Sequence, residues 1–339
     1  MTNEESIPEQ LQNRLKLESI FMPFASKRRD EFYRRQTPAG PVARSARFVH
    51  YTSAGAALSI INGKRMWMRN ALCMSDYREV QHGFASLQGF FSDNSNASAF
   101  TTALDQFVPG ATKDAITSFD QWWNVIQRHT YITSVSEHDT AEDQHGRLSM
   151  WRAFGNTTTR VAIVLNVPWN SGGADALKLI FAPIVYLTQE QVHAQLRDVI
   201  SNIAASGDFL RSYDRATVVA TVQAMLLSSV ACLKHEGFRE EREWRAAYFP
   251  HNFPSPFMNA STEVINGVPQ LVYKIPLDGT AAPELAGLEF SRIFDRLIIG
   301  PSPYPLPLYD AFAAALTEAG VPEETAKRRV VISGIPIRV

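Results

Sequence analysis

The sequence predicts an α+β fold with a mixed or antiparallel central sheet and inserted helices. Strand-like runs come singly and in clusters, with helices set between them rather than in βαβα alternation. There is no internal repeat and no sustained heptad, which excludes a solenoid or a long coiled coil.

Residues 1–46 read as an N-terminal helical and basic extension, and residues 47–339 as a single elaborated domain with a helical insertion at about 188–234. Leu11, Leu15, Leu17, Ile20 and Phe21 have helical spacing. From Lys27 to Arg47, seven basic residues outnumber Asp30 and Glu31, and Pro38, Gly40 and Pro41 mark a loop. The plain reading is a solvated linker, and the sharper one a phosphate-facing patch.

The body begins with a short strand, Phe48 to Tyr51. Thr52 or Ser53 caps an apolar helix, Ala54 to Asn62, that Gly63 ends. Arg65 to Arg69 alternates as a strand, and Ser75 caps a helix with Asp76 and Glu79 in its first turn. Residues 92–99 are small and polar and predict a loop, followed by a helix carrying Phe119, Trp122, Trp123 and Ile126. Tyr131 to Ser136 and Arg160 to Val167 read as core strands, and Leu177 to Leu187 as one or two more. Two long helices fill the insertion. Glu243 to Phe249, Gln270 to Ile275, Phe294 to Ile299 and Arg329 to Ser333 complete the strands, with a helix over Leu308 to Ala319.

The 33 basic and 34 acidic residues leave a net charge of −1, which argues against a nucleic-acid coat or a polybasic membrane binder. Cys73 and Cys232 are too few for a disulfide framework or a cysteine zinc site, and read as free thiols. The polar N-terminus lacks the apolar core of a signal peptide. The apolar run Val218 to Leu233 is broken by Gln223, Ser228 and Ser229 and predicts a buried helix rather than a membrane span. The expectation is a cytoplasmic protein with no membrane partner.

No P-loop, dinucleotide glycine fingerprint, HExxH or nucleophile elbow occurs. The most informative stretch is Lys234 to Arg245. As a strand, it would place Glu241, Glu243 and Arg245 on one face, and the two carboxylates would raise one pKa unless a cation compensates. That pattern suits stabilising a cation or removing a proton, or is only a surface charge ladder. His50, Tyr51, Thr52 and Ser53 end a strand before a capped helix, where the histidine either donates to a ligand or is a satisfied core residue. Ser134 and Ser136 share a face and can orient a carboxylate or act as turn formers. Trp67, Trp151 and Trp244 are core residues or stacking platforms.

In order, His50-Tyr51-Thr52-Ser53, Met66-Trp67-Met68, Met74-Ser75-Asp76 with Glu79, Ser134-Val135-Ser136-Glu137, Met150-Trp151 and Phe238 with Glu241 to Arg245 resemble DUF2971, a bacterial family of unknown function. That family usually has asparagine where Ser75 stands. A more distant resemblance is to ADP-ribosyltransferases: His on a first strand, Ser-x-Ser on a middle strand, Glu-x-Glu on a late one. This resemblance implies that His50 holds NAD as substrate, Ser134 and Ser136 brace the site, Glu243 stabilises the ribosyl cation and Glu241 orients the acceptor. Tyr51 to Ser53, Trp67 and Arg245 join the NAD-binding set, with Tyr51, Tyr131 or Trp67 stacking on nicotinamide.

The expected function is thus an ADP-ribosyltransferase or NAD glycohydrolase, a toxin or antiviral defence effector, acting on protein, nucleic acid or water. The alternatives are a metal-dependent nuclease using Asp76, Glu79, Glu241 and Glu243, and a non-catalytic nucleotide-sensing module. The first reading requires His50 and Glu243 to face one pocket containing Ser134 or Ser136.

Overall fold

The computed structural model describes residues 9–36, 45–74, 77–153, 159–168, 173–265 and 267–336. Among the described residues there are twelve strands: β1 Ser45–Ser53, β2 Arg65–Asn70, β3 Tyr131–Glu137, β4 Arg160–Pro168, β5 Ile180–Pro183, β6 Val185–Tyr186, β7 Leu233–Lys234, β8 Glu243–Tyr248, β9 Asn259–Ile265, β10 Val268–Pro276, β11 Phe294–Ile299 and β12 Val330–Ile332.

Ten of them form one sheet, ordered β12-β11-β4-β1-β3-β2-β10-β9, with β8 pairing both β3 and β5. Every pair in it is antiparallel except β11 with β12. The α+β expectation holds. β4 is central because Val161 to Leu165 is an unbroken apolar run, buried on both faces between β1 and β11. β9 escaped the sequence reading: it is an exposed edge strand whose polar residues give no burial signal.

The sheet is split at β3. One edge of β3 pairs with β8 from Tyr131 to Ser136. The other is shared by β2, at Tyr131 and Ile132, and β1, at Ser136 and Glu137. Thr133 to Val135 therefore lie where β1 and β2 part.

Helices cover both faces. Helices 77–91, 94–105, 111–128, 189–205 and 215–231 bury a common apolar core against Ile132 and Ala247. Helices 54–63 and 305–318 pack on the opposite face against Ile163 and Leu165. Residues 94–105 are helical despite the predicted loop. Asp93 accepts from the Asn96 N–H as the N-cap, and Phe100, Ala103 and Leu104 bury the far end of the helix. Helix 54–63 is capped by Ser53, but it is Lys64, at φ +46°, that takes the left-handed position expected of Gly63.

The N-terminal segment is not a detached appendage. Residues 9–21 and 23–36 are helices; Leu17, Ile20 and Phe21 join the large core, and Phe32 and Tyr33 pack on Phe48 and Trp244. Of the basic stretch, Lys27 to Gln36 is helical and Arg47 lies on β1, while residues 37–44, with Pro38, Gly40 and Pro41, lie outside the described residues. Among the described residues, no helix is long and apolar enough to cross a membrane.

Candidate functional site

The Lys234–Arg245 stretch is not one strand. Glu236–Glu241 forms a 3₁₀ turn, Arg242 sits at φ +48°, and β8 begins only at Glu243. The ladder then sets Ser136 opposite Glu243 and Ser134 opposite Arg245. Opposed residues of an antiparallel pair share a face, so these four side chains form one polar strip.

Glu243 is its centre and is 4% exposed. Ser134 Oγ donates to Glu243 Oε1 at 2.5 Å, and Arg245 Nε to the same oxygen at 2.7 Å. Lys234 Nζ reaches Glu243 Oε2 at 3.2 Å and Glu241 Oε2 at 2.8 Å. The Glu243 N–H donates to Tyr186 Oη at 2.9 Å. Arg245 Nη1 donates to the Ala231 carbonyl at 2.9 Å, at the C-terminal end of helix 215–231, where the helix dipole favours a cation.

Burial would raise the Glu243 pKa. The charges of Arg245 and Lys234 and the Ser134 hydroxyl outweigh it and bring it down to about 2. The compensating cation that the sequence argument required is present, and Lys234, which that argument overlooked, stands between the two carboxylates. A lysine at the end of an apolar helical run is the signal: once buried, it needs an anion. Glu241 does not share the β8 face as predicted. It belongs to the 3₁₀ turn, on the more open side of the cluster beside exposed Phe238, whose ring lies 4.6 Å from Lys234 Nζ.

His50 does not join this strip. Val49 lies opposite Ser136 and Phe48 opposite Glu137, so alternation sends Val49 to the Glu243 face and His50 to the other, with Phe48 and Trp244. The expected common pocket for His50 and Glu243 is therefore not formed. The His50 ring instead closes the split: Nδ1–H donates to the Ser134 main-chain carbonyl at 2.9 Å. A carbonyl can only accept, so the proton is on Nδ1, and burial lowers the His50 pKa.

The remaining predicted residues have local partners. Tyr51 is on the Glu243 face, edge-on to Trp151 at 4.8 Å, and its hydroxyl accepts from Arg147 N–H at 2.8 Å; burial pushes its pKa up to about 12. Thr52 pairs with Val161 on β4. Ser53 Oγ accepts from Ala56 N–H as a helix cap. Trp67 on β2 lies opposite Lys274, whose Nζ is 5.0 Å from the ring. Tyr131 is buried edge-on to Tyr273. Ser136 is buried on the strip. Ser75 and Asp76 lie outside the described residues, as does the Glu79 side chain. Among the described residues, no three His, Cys, Asp or Glu side chains group as a metal site.

A second polar hub was missed. Glu137, buried at the end of β3, accepts from the Trp244 indole N–H at 3.1 Å and pairs with Arg28, Arg35 and Arg242 at 3.2–3.4 Å. It ties helix 23–36 to the sheet beside the Glu243 strip.

Residues 150–246 match the family described as a protein of unknown function, DUF2971. The match contains Lys234, Glu241, Glu243 and Arg245; His50, Ser134 and Ser136 fall outside it. No curated protein and no solved structure matches the chain.

Proposed function

We propose that the chain is a NAD-consuming enzyme, an ADP-ribosyltransferase or NAD glycohydrolase, with Glu243 as the catalytic carboxylate. The observation that carries this reading is the 2.5 Å hydrogen bond from Ser134 Oγ to Glu243 Oε1, joining the Ser-x-Ser strand to the late glutamate strand. Departure of nicotinamide builds positive charge on the ribose, and a carboxylate held ionised beside it stabilises that charge. Lys234 and Arg245 keep Glu243 ionised. In this reading Glu241, which pairs with Lys234 from the 3₁₀ turn, meets the acceptor. The shared pocket of His50 and Glu243 that the resemblance called for is not formed: His50 lies on the opposite face, where it supports β3 and touches no ligand. The histidine is therefore dropped from the proposed site, which rests on the junction of Ser134 with Glu243. An activity of this kind inside a cell depletes NAD, the action of a toxin or defence effector.

The test is nicotinamide release and transfer of labelled ADP-ribose by the full chain, assayed below the melting temperature of each variant. Glu243→Gln lowers release by roughly 10²–10³-fold, the scale of one lost electrostatic contact in a preorganised site. Glu241→Gln lowers transfer while hydrolysis persists. Absence of nicotinamide release from the wild-type chain, or a folded Glu243→Gln chain with an undiminished rate, overturns the proposal.

A further inference from the structure

The face of the sheet opposite Glu243 holds a cavity of about 360 Å³, within the roughly 300–1,000 Å³ of small-molecule pockets. Its floor is the alternate set on the same two strands, Thr133 and Val135 on β3 with Trp244 and Ala246 on β8. Helices 9–21 and 23–36 contribute another wall. The lining is mainly apolar, with four hydroxyl side chains set into it: Ser26, Tyr33, Thr133 and Ser228, the last engaged with Cys232. Ser26, Tyr33 and Thr133 are the hydroxyl residues that the helix 23–36 wall and the β3 floor bring to the cavity. An apolar pocket with a few polar groups in its lining is the form of a ligand site.

Four charged side chains reach the cavity, and they neutralise each other: Arg14 pairs with Asp175 and Glu18, and Arg29 with Glu18. An ionised ligand group would enter without a free counter-charge, at a steep desolvation cost. We infer that this cavity is a binding site for an uncharged, mostly apolar small molecule carrying a hydroxyl or carbonyl oxygen that meets Ser26, Tyr33 and Thr133. The site is separate from the Glu243 strip, and the inference does not depend on the NAD reading.

The probe is Nile red, an uncharged, largely apolar dye with a ring carbonyl, titrated into the full chain and read by its blue-shifted emission. The wild type binds it saturably at one per chain. Ala246→Phe, which fills the cavity from the floor, abolishes saturable binding; Ser26→Leu fills it from helix 23–36 and gives the same test where Ala246→Phe does not fold. Thr133→Val keeps the shape and removes one hydroxyl, weakening binding about fivefold, the scale of one net hydrogen bond. 1-Dodecanol displaces the dye at concentrations where dodecanoate does not. Non-saturating emission from the wild type, wild-type binding by the folded cavity-filling variants, or stronger displacement by dodecanoate overturns the inference.

Discussion

His50 donates from Nδ1 to the main-chain carbonyl of Ser134, 2.9 Å away, where β1 and β2 part along one edge of β3. The ring supplies the hydrogen bond that a neighbouring strand would otherwise give. The same serine sends its hydroxyl to Glu243 on the other side of the sheet plane. One residue thus joins the split to the polar strip.

Acid should weaken the fold in two steps. Burial lowers the His50 pKa below its ordinary 6.5, so the unfolded chain takes up the proton first. Its contribution is therefore complete above about pH 6.5 and falls as the pH drops. Buried His138, also shifted down by burial, adds in the same direction. Glu243 falls from 4.5 to about 2, so its contribution is complete above about 4.5 and is lost towards pH 2. That shift is worth roughly 3 kcal/mol. Urea midpoints measured from pH 8 to 2 should show both declines. His50→Gln should remove part of the upper one and Glu243→Gln the lower one; a midpoint independent of pH would contradict both assignments.

Glu243→Gln should also destabilise the fold, because the carboxylate is buried and not the partly exposed strand group that alternation alone suggests. Removing its charge takes from buried Lys234 and Arg245 the carboxylate they share, and breaking a buried ion pair costs roughly 3–5 kcal/mol, lessened here because Lys234 keeps Glu241. Lys234→Met should relieve part of that loss, so the double variant should lie at least about 1 kcal/mol above the sum of the singles. Urea unfolding of the four proteins measures this, and strict additivity would show that the 3.2 Å contact contributes nothing.

Glu137→Gln keeps an acceptor for the Trp244 indole but removes the charge that gathers Arg28, Arg35 and Arg242. Amide exchange should accelerate across residues 23–36 and change little in β4. Unchanged protection of that helix would mean that Phe32 and Tyr33 hold it without the ion pairs.

The two thiols should react unequally. Cys73 is exposed, whereas Cys232 is buried and its pKa is pushed up to about 12 by burial. Iodoacetamide should label one cysteine per native chain and both in urea, as read by mass spectrometry. Labelling of both in the native chain would place Cys232 near the surface.

Sequence determined the parts whose signal is local. The unbroken apolar run of β4, the alternation of β2, the Ser53 cap and the buried helix over residues 215–231 all follow from residue type and spacing. That Ser134 and Ser136 lie with Glu243 was implied by the resemblance to ADP-ribosyltransferases, while their register against Glu243 and Arg245 is a product of the ladder between β3 and β8. Other features required the tertiary structure. A 3₁₀ turn and one left-handed residue, Arg242, break the period-two pattern that would have put Glu241 beside Glu243. The register of β1 against β3 and β4 decides which face His50 takes, and a one-residue difference in register reverses every side chain. Lys234, Glu137 and the cavity floor acquire their meaning from chain segments distant in sequence, because the energy of a buried charge or hydroxyl is set by its partners and not by its neighbours along the chain.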